Sequence, residues 1–266
     1  MRNPPVLVRV SVAFYLSTPC LDPRPSIRRE FPTPPMKTSI TVPRMVREWA
    51  RFAFLTFVLF LGIRIFVLEA YSIPTSSMEE TLMVGDFLLV NKMLFGAEVP
   101  ATEIRFPSFR DPERGDVVVF KPPHDPLRNY VKRVVGLPGD TLEMLDKILY
   151  LNGVALTEDY ARHVDRRGDA VHPDMAWQSD HLVAAGPSEP YSPSRDHWGP
   201  LVVPPEEYFV LGDNRDNSED SRYWGFVGRW DIKGSPWVVY LSMENQEAEA
   251  SLLKRVRWGR FGHRVR

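Results

Sequence analysis

The sequence predicts a mainly β protein, an antiparallel β-sheet domain carried behind one N-terminal transmembrane helix. Three observations point there. After residue 70 the chain is a series of short runs rich in β-branched and aromatic residues, with turn formers between several of them and no long helical periodicity. Its main apolar run, residues 52–68 (FAFLTFVLFLGIRIFVL), approaches the ~20 residues needed to cross hydrocarbon. At 266 residues and 44% hydrophobic composition, the chain is also long enough to bury a full core.

Residues 1–43 carry Pro, Arg and Ser with a short apolar patch, 6–16, that contains Arg9 and is too short to span. This segment reads as a disordered cytoplasmic tail, with Met36 and Met45 as alternative starts to Met1. Residues 44–70 form the predicted anchor. Arg64 interrupts it near the far end, where a long side chain can snorkel to the headgroups. Arg44, Arg47 and Arg51 crowd the N-terminal flank, which the positive-inside rule leaves in the cytoplasm, so everything after Glu69 lies outside. A cleaved signal peptide would have a shorter apolar stretch and a small-residue exit. This one exits into EAYSIP, which favours an uncleaved anchor.

Beyond the anchor, strands are predicted at residues 87–90 (FLLV), 117–120 (VVVF), 131–135, 148–151 (ILYL), 208–211 (YFVL) and 237–241 (WVVYL). Gly115-Asp116, Pro138-Gly139-Asp140 and Asn152-Gly153 supply turns. Between about 158 and 200 the pattern dissolves into charged, Pro-rich, His-bearing sequence, read as an insertion. The β-rich body is therefore 71–157 together with 201–266.

Composition excludes several classes. With 33 Lys+Arg against 34 Asp+Glu there is no basic footprint of the kind nucleic-acid binders carry. A single cysteine, Cys20, excludes an intramolecular disulfide. His163, His172, His181 and His197 fall in the insertion at spacings that match no common zinc pattern, and His124 and His263 are isolated. No metal and no cofactor are expected.

Three segments stand apart: Ser72-Ile-Pro-Thr-Ser-Ser-Met78, Asn129-Tyr-Val-Lys-Arg-Val-Val-Gly-Leu-Pro-Gly-Asp140, and Gly212-Asp-Asn-Arg-Asp-Asn-Ser-Glu-Asp-Ser-Arg-Tyr-Trp-Gly225. A serine hydroxyl is a weak nucleophile that needs an adjacent base. Lysine, which titrates near ~10.4, can be that base only if burial depresses its pKa. Lys132 lies between Tyr130-Val131 and Val134-Val135, apolar strand neighbours that would do this, while Arg133 alternates to the opposite face as a structural ion-pair partner.

Together these segments resemble the bacterial type I signal peptidase family, the leader peptidases. The resemblance runs from about residue 45 to the C-terminus, excluding much of 158–200 and including Val256-Arg-Trp-Gly-Arg-Phe-Gly. It implies a catalytic domain of signal-peptidase type in which Ser77, immediately before Met78, is the nucleophile and Lys132 the general base, replacing a Ser-His-Asp triad. The Ser77 N–H and the Thr75 hydroxyl, where many relatives have serine, would hold the oxyanion. Ser218 would lie near the lysine ammonium, with Asp220 and Arg222 as an ion pair behind the site. Asp213, Asn214 and Asp216 are expected mainly to hydrogen-bond the loop backbone.

Two departures from the family pattern flank the nucleophile. Ser76 stands where glycine is usual, and Glu80 where proline is common, which frees one backbone torsion. Ile73, Pro74, Met78, Leu82, Tyr130 and Val131 would line shallow apolar pockets for the A-x-A pattern of signal peptides. Residues 93–95 would touch the bilayer. The expectation is a single-pass monomeric serine endopeptidase on the outer face of the cytoplasmic membrane, forming an acyl-enzyme at Ser77. Its partners would be secretory preproteins and membrane lipid, with no nucleic acid. Two rivals are a self-cleaving repressor-type Ser-Lys protease, which needs a DNA-binding domain in place of residues 1–70, and a catalytically inactive membrane-anchored peptide-binding β-module.

Overall fold

The computed structural model describes residues 43–96, 102, 106–165, 170–183, 191–244 and 252–265. The expected tail, with Cys20 and Met36, lies outside the described residues. The unit that carries the site is Glu48–Arg266.

Helix α1 (Arg44–Gly62) continues into a π-helical turn, Ile63–Val67, and then directly into strand β1 (Leu68–Ser72). The expected transmembrane helix over 52–68 is corrected here. Among the described residues no helix is long and apolar enough to cross a membrane. Arg44, Arg47, Glu48 and Arg51 occupy the first turns of α1, so its apolar part starts at Phe52. It stops at Val67, because Leu68 is already paired with Asn91 in a β-ladder. At ~1.5 Å per residue that stretch is roughly 24 Å, short of the ~30 Å hydrocarbon core.

The remaining strands are β2 (Asp86–Asn91), β3 (Val117–Phe120), β4 (Tyr130–Gly136), β5 (Thr141–Leu145), β6 (Ile148–Leu151), β7 (Val154–Ala155), β8 (Trp198–Val202), β9 (Glu207–Leu211), β10 (Val227–Gly228) and β11 (Ile232–Ser242). They form a seven-stranded sheet in the order β1-β2-β11-β3-β4-β9-β10 and a four-stranded sheet in the order β7-β6-β5-β8. The strand pairings are antiparallel.

The larger sheet is covered on both faces, which explains why β3 reads as four apolar residues in a row instead of alternating. Val117 and Val119 pack with Ile73, Met78, Leu82, Leu88, Val90 and Val239. Val118 and Phe120 point the other way, into Phe95, Val134, Tyr208, Val210, Val227 and Ile232. In β9, Phe209 and Leu211 reach a third cluster with Leu142, Met144, Leu149, Met175 and Trp198. Each such side chain contributes ~1.5–3 kcal/mol by leaving water. Phe95 is 1% exposed, so the expectation that it touches the bilayer is corrected, its ring filling the core beneath Arg110, while Met93 and Leu94 are half-buried.

Residues from 158–200 take part in this packing. Met175 and Trp198 are buried, and Trp198 stacks on Phe209 with centroids 5.1 Å apart. Strand β8 includes Gly199 and Pro200, which erase any alternation that could announce it. The β6–β7 turn, Asn152-Gly153, has φ of 51° and 81°, as a tight type I′ hairpin requires. The β5–β6 turn uses Asp146 and Lys147, at φ 49° and 67°, with no glycine. Lys147 is held in that left-handed conformation by its ammonium, which reaches Asp216 at 2.9 Å, Asp196 at 3.2 Å and the Asp165 carbonyl at 2.9 Å.

Candidate active site

Ser77 lies on the turn that joins the edge strand β1 to β2. Two backbone bonds shape the turn, Glu79 N–H to the Ser76 carbonyl at 3.0 Å and Leu82 N–H to the Met78 carbonyl at 2.7 Å. Below it Met78 and Leu82 are buried in the core, so the turn is anchored by apolar side chains. Lys132 comes from β4, opposite Val118 in the ladder with β3. Its Nζ donates to Ser77 Oγ at 2.6 Å. Residues 55 positions apart in sequence are thus brought into contact by the adjacency of two sheet regions.

The loop 212–225 locks this arrangement from behind. Asn214 N–H donates to the Ser77 carbonyl at 3.0 Å, and Asn214 Nδ2 to the Ser76 carbonyl at 3.2 Å. Gly212 must be glycine, because a Cβ there would lie 2.6 Å from the Ser77 carbonyl oxygen and 2.2 Å from Ser218 Oγ. Asp213 does not bond its own loop backbone as expected. Its carboxylate takes a bidentate pair from Arg133, at 2.8 and 2.7 Å, and a bond from Thr81 Oγ1 at 2.6 Å. It therefore ties the serine turn to the lysine strand. Asp216 likewise leaves the loop to pair with Lys147 and to accept from Asp165 N–H. The sequence suggested loop self-bonding for these two and for Asn214, whose side chain instead reaches the Ser76 carbonyl; here the buried Arg133 and the partly exposed Lys147 draw the two carboxylates away from the backbone.

Asp220 and Arg222 form the expected ion pair, with Arg222 Nε and Nη2 each 2.8 Å from the carboxylate. Asp220 also accepts from Gly212 N–H at 3.1 Å and caps the short helix α2 (Ser221–Trp224). Burial alone would raise the Asp220 carboxyl, but Arg222 beside it holds it below the usual range. A third buried pair, Arg215 with Glu158 at 2.7 Å, fastens the loop to the start of the 158–200 region.

A cleft of ≈ 330 Å³ opens over Ser77 and Lys132. One wall is the stretch from Tyr71 to Met78, and the other runs from Arg128 to Lys132 with Asn217 and Glu219. Ile73, Pro74, Met78, Tyr130 and Val131 line it, as the sequence suggested. Leu82 does not: at 0% exposure it is core beneath the turn. Thr75 Oγ1 is 3.5 Å from Ser77 Oγ, and the Ser77 N–H makes no hydrogen bond among the described residues. Ser218 is buried against Gly212, and its Oγ has no partner among the described residues. Sequence reasoning did not single out Asn217 as a wall residue, and its Nδ2 donates to Ser76 Oγ at 2.8 Å. The only signal was its place inside the 212–225 motif.

A family model described as "Signal peptidase, peptidase S26" matches residues 46–241. The chain belongs to that family. A signal peptidase I of Pseudomonas aeruginosa is 35% identical over 224 residues, covering 79% of this chain and 78% of that protein. One from Pseudomonas fluorescens is 37% identical over 208 residues, covering 73% and 72%. A solved signal peptidase I of Enterococcus faecalis has 34% identity and a TM-score of 0.33, over 48% of this chain and 98% of that one.

Within this member of the family, Lys132 is 4% exposed. Burial pulls its ammonium down from 10.5 to about 8, against the opposing pull of Asp220. Glu80 has φ 85°, a conformation the ring of proline forbids, so the change from the family pattern does more than free a torsion. Arg162 Nη1 holds the Glu80 carboxylate at 2.6 Å, and Arg162 N–H is bonded to the Asp213 carbonyl at 2.7 Å. Glu80→Gly is expected to change the melting temperature by no more than about 2 °C, because relief of ~1 kcal/mol of left-handed strain is offset by loss of the exposed pair with Arg162. Glu80→Pro is expected to lower it by more than that. Thermal unfolding of both variants checks the pair; a stabilising proline would contradict the backbone conformation.

Proposed function

We propose that the protein is a membrane-attached serine endopeptidase that removes signal peptides from secretory preproteins, with Ser77 as nucleophile and Lys132 as general base. The observation that carries the mechanism is the 2.6 Å bond from buried Lys132 Nζ to Ser77 Oγ. Neutral Lys132 takes the Ser77 proton as Oγ attacks the scissile carbonyl carbon. The peptide C–N bond then breaks, the amine leaves with that proton, and the signal peptide remains as an ester on Ser77. Water, deprotonated by Lys132, hydrolyses the ester. The free Ser77 N–H and the Thr75 hydroxyl are the donors for the oxyanion. The outer edge of β1 and the residues around Tyr130 flank the cleft, so an extended peptide fits between them as an added strand. The apolar lining suits small side chains at the first and third residues before the cut.

Membrane attachment is argued from α1. None of its side chains is buried, and Phe52, Phe54, Leu55, Phe57 and Phe60 are exposed around its second half. A helix that is apolar all round needs cover from lipid or protein. The arginines at its start would sit among anionic headgroups while the apolar part is covered by lipid. Recovery in the soluble fraction without detergent would overturn this part.

The whole reading is tested with purified protein in detergent and a preprotein whose signal ends in A-x-A. Cleavage is expected after the second alanine, and none with Ser77→Ala; equal cleavage by both forms would sink the assignment. Because the neutral amine is the active form, kcat/KM is expected to rise about tenfold per pH unit up to about pH 8 and then level off. A limb near pH 6.5 would place the base on a histidine instead.

A further inference from the structure

The cleft over Ser77 and Lys132 contains one carboxylate to which no role has yet been given. Glu219 lines its wall, exposed, between buried Ser218 and buried Asp220. The neighbouring acids are neutralised: Asp213 by Arg133 and Asp220 by Arg222. Arg128, the other charged wall residue besides Lys132, is 3.4 Å from Asp125. Glu219 has no ion pair and no hydrogen bond among the described residues.

Glu219 shares the cleft with Ser77 and Lys132, and its charge is one of those that act on the Lys132 ammonium. Burial dominates, Asp220, Glu219 and Asp213 pull the other way, and Arg222 adds to the burial effect. Tyr130, on the same wall, also feels Glu219. When Lys132 is neutral, as the proposed mechanism requires, Glu219 is a negative charge in the cleft with no ion-pair partner among the described residues.

We propose that Glu219 is a specificity-determining residue that selects against acidic side chains next to the scissile bond and favours basic ones. The inference rests on the peptidase reading above. The first and third residues before the cut are confined to small side chains. Discrimination therefore falls on the second residue before the cut and the first after it.

The test uses the full chain in detergent at low salt, with preproteins carrying Ala, Glu or Lys at each of those two positions. At one of them at least, kcat/KM for the Lys preprotein is expected to exceed that for the Glu preprotein by about three- to tenfold, the size a single charge exerts across a partly wet cleft. The ratio is expected to fall towards one at ~1 M salt, where the screening length is ~3 Å. It is expected to collapse in Glu219→Gln and to invert in Glu219→Lys. Ratios near one at both positions, or a ratio unchanged in Glu219→Gln, would overturn the proposal. If neither variant folds, the salt series on the native chain decides. Cleavage of the alanine preprotein with no charge preference removes this inference alone. Failure to cut any preprotein removes the peptidase reading and this inference with it.

Discussion

Replacing Lys132 with methionine is expected to abolish preprotein cleavage, by a thousandfold or more, while making the fold more stable at pH 7. Both effects come from the same burial. Removing a member of a nucleophile–base pair that acts as a unit costs most of the rate. The stability effect follows from proton linkage. In the unfolded chain the ammonium keeps its proton to ~10.4, whereas in the folded chain burial releases it at about 8. Between those values the unfolded state binds more protons, so stability rises with pH. Below about pH 8 both states are charged, and the full penalty of holding a buried ammonium is present, about 3 kcal/mol. Methionine has similar length and no charge. It forfeits the bond to Ser77, ~1 kcal/mol, and leaves a net gain of about 2 kcal/mol. Urea unfolding at pH 7 and pH 10 measures it. A native chain more stable than the variant at pH 7, or with flat stability across that window, would show that burial does not lower the Lys132 pKa.

Asp220→Ala is expected to have the largest destabilising effect, about 3–5 kcal/mol from the ion pair and ~1 kcal/mol from the lost helix cap. Arg222 is 1% exposed, so removal of its partner leaves a charge that cannot reach water. The Gly212 N–H loses its acceptor as well, at the point where the loop presses on the Ser77 carbonyl. Against a typical total of 5–15 kcal/mol, this is enough to leave much of the protein unfolded at 37 °C. The double change Asp220→Leu with Arg222→Met should recover part of the loss, because it buries no unpaired charge. By contrast Glu80 and Arg162 are both solvent-exposed, and breaking their pair is expected to cost under ~1 kcal/mol. Denaturation midpoints for Asp220→Ala, the double variant and Arg162→Ala separate the cases. An Asp220→Ala loss no larger than that of the exposed pair would contradict the burial described.

The six strands expected from sequence all lie within strands of the fold, because their residues are covered on both faces or alternate cleanly. The missed ones had physical reasons to be hidden. Strand β1 was absorbed into the apolar run of the helix before it, since Leu68 is equally suited to lipid and to a ladder with Asn91. Strand β8 carries Gly199 and Pro200, and β7 and β10 are two residues each.

For Ser77, Lys132 and the Asp220–Arg222 pair, the local motifs alone determined which residues to examine, and burial of Lys132 was legible from the apolar residues around it. What only the tertiary structure decided was their mutual placement. The 2.6 Å contact depends on how β4 meets the turn after β1. The destination of Asp213 depends on Arg133 from another strand, and the exclusion of Leu82 from the cleft on the core beneath it. Glu219 stands out only in the fold, because a charge becomes informative once its neighbours are known to be paired. Sequence patterns report what each segment prefers to bury or expose. The partner across a fold is set by sheet order and register, which no single segment encodes.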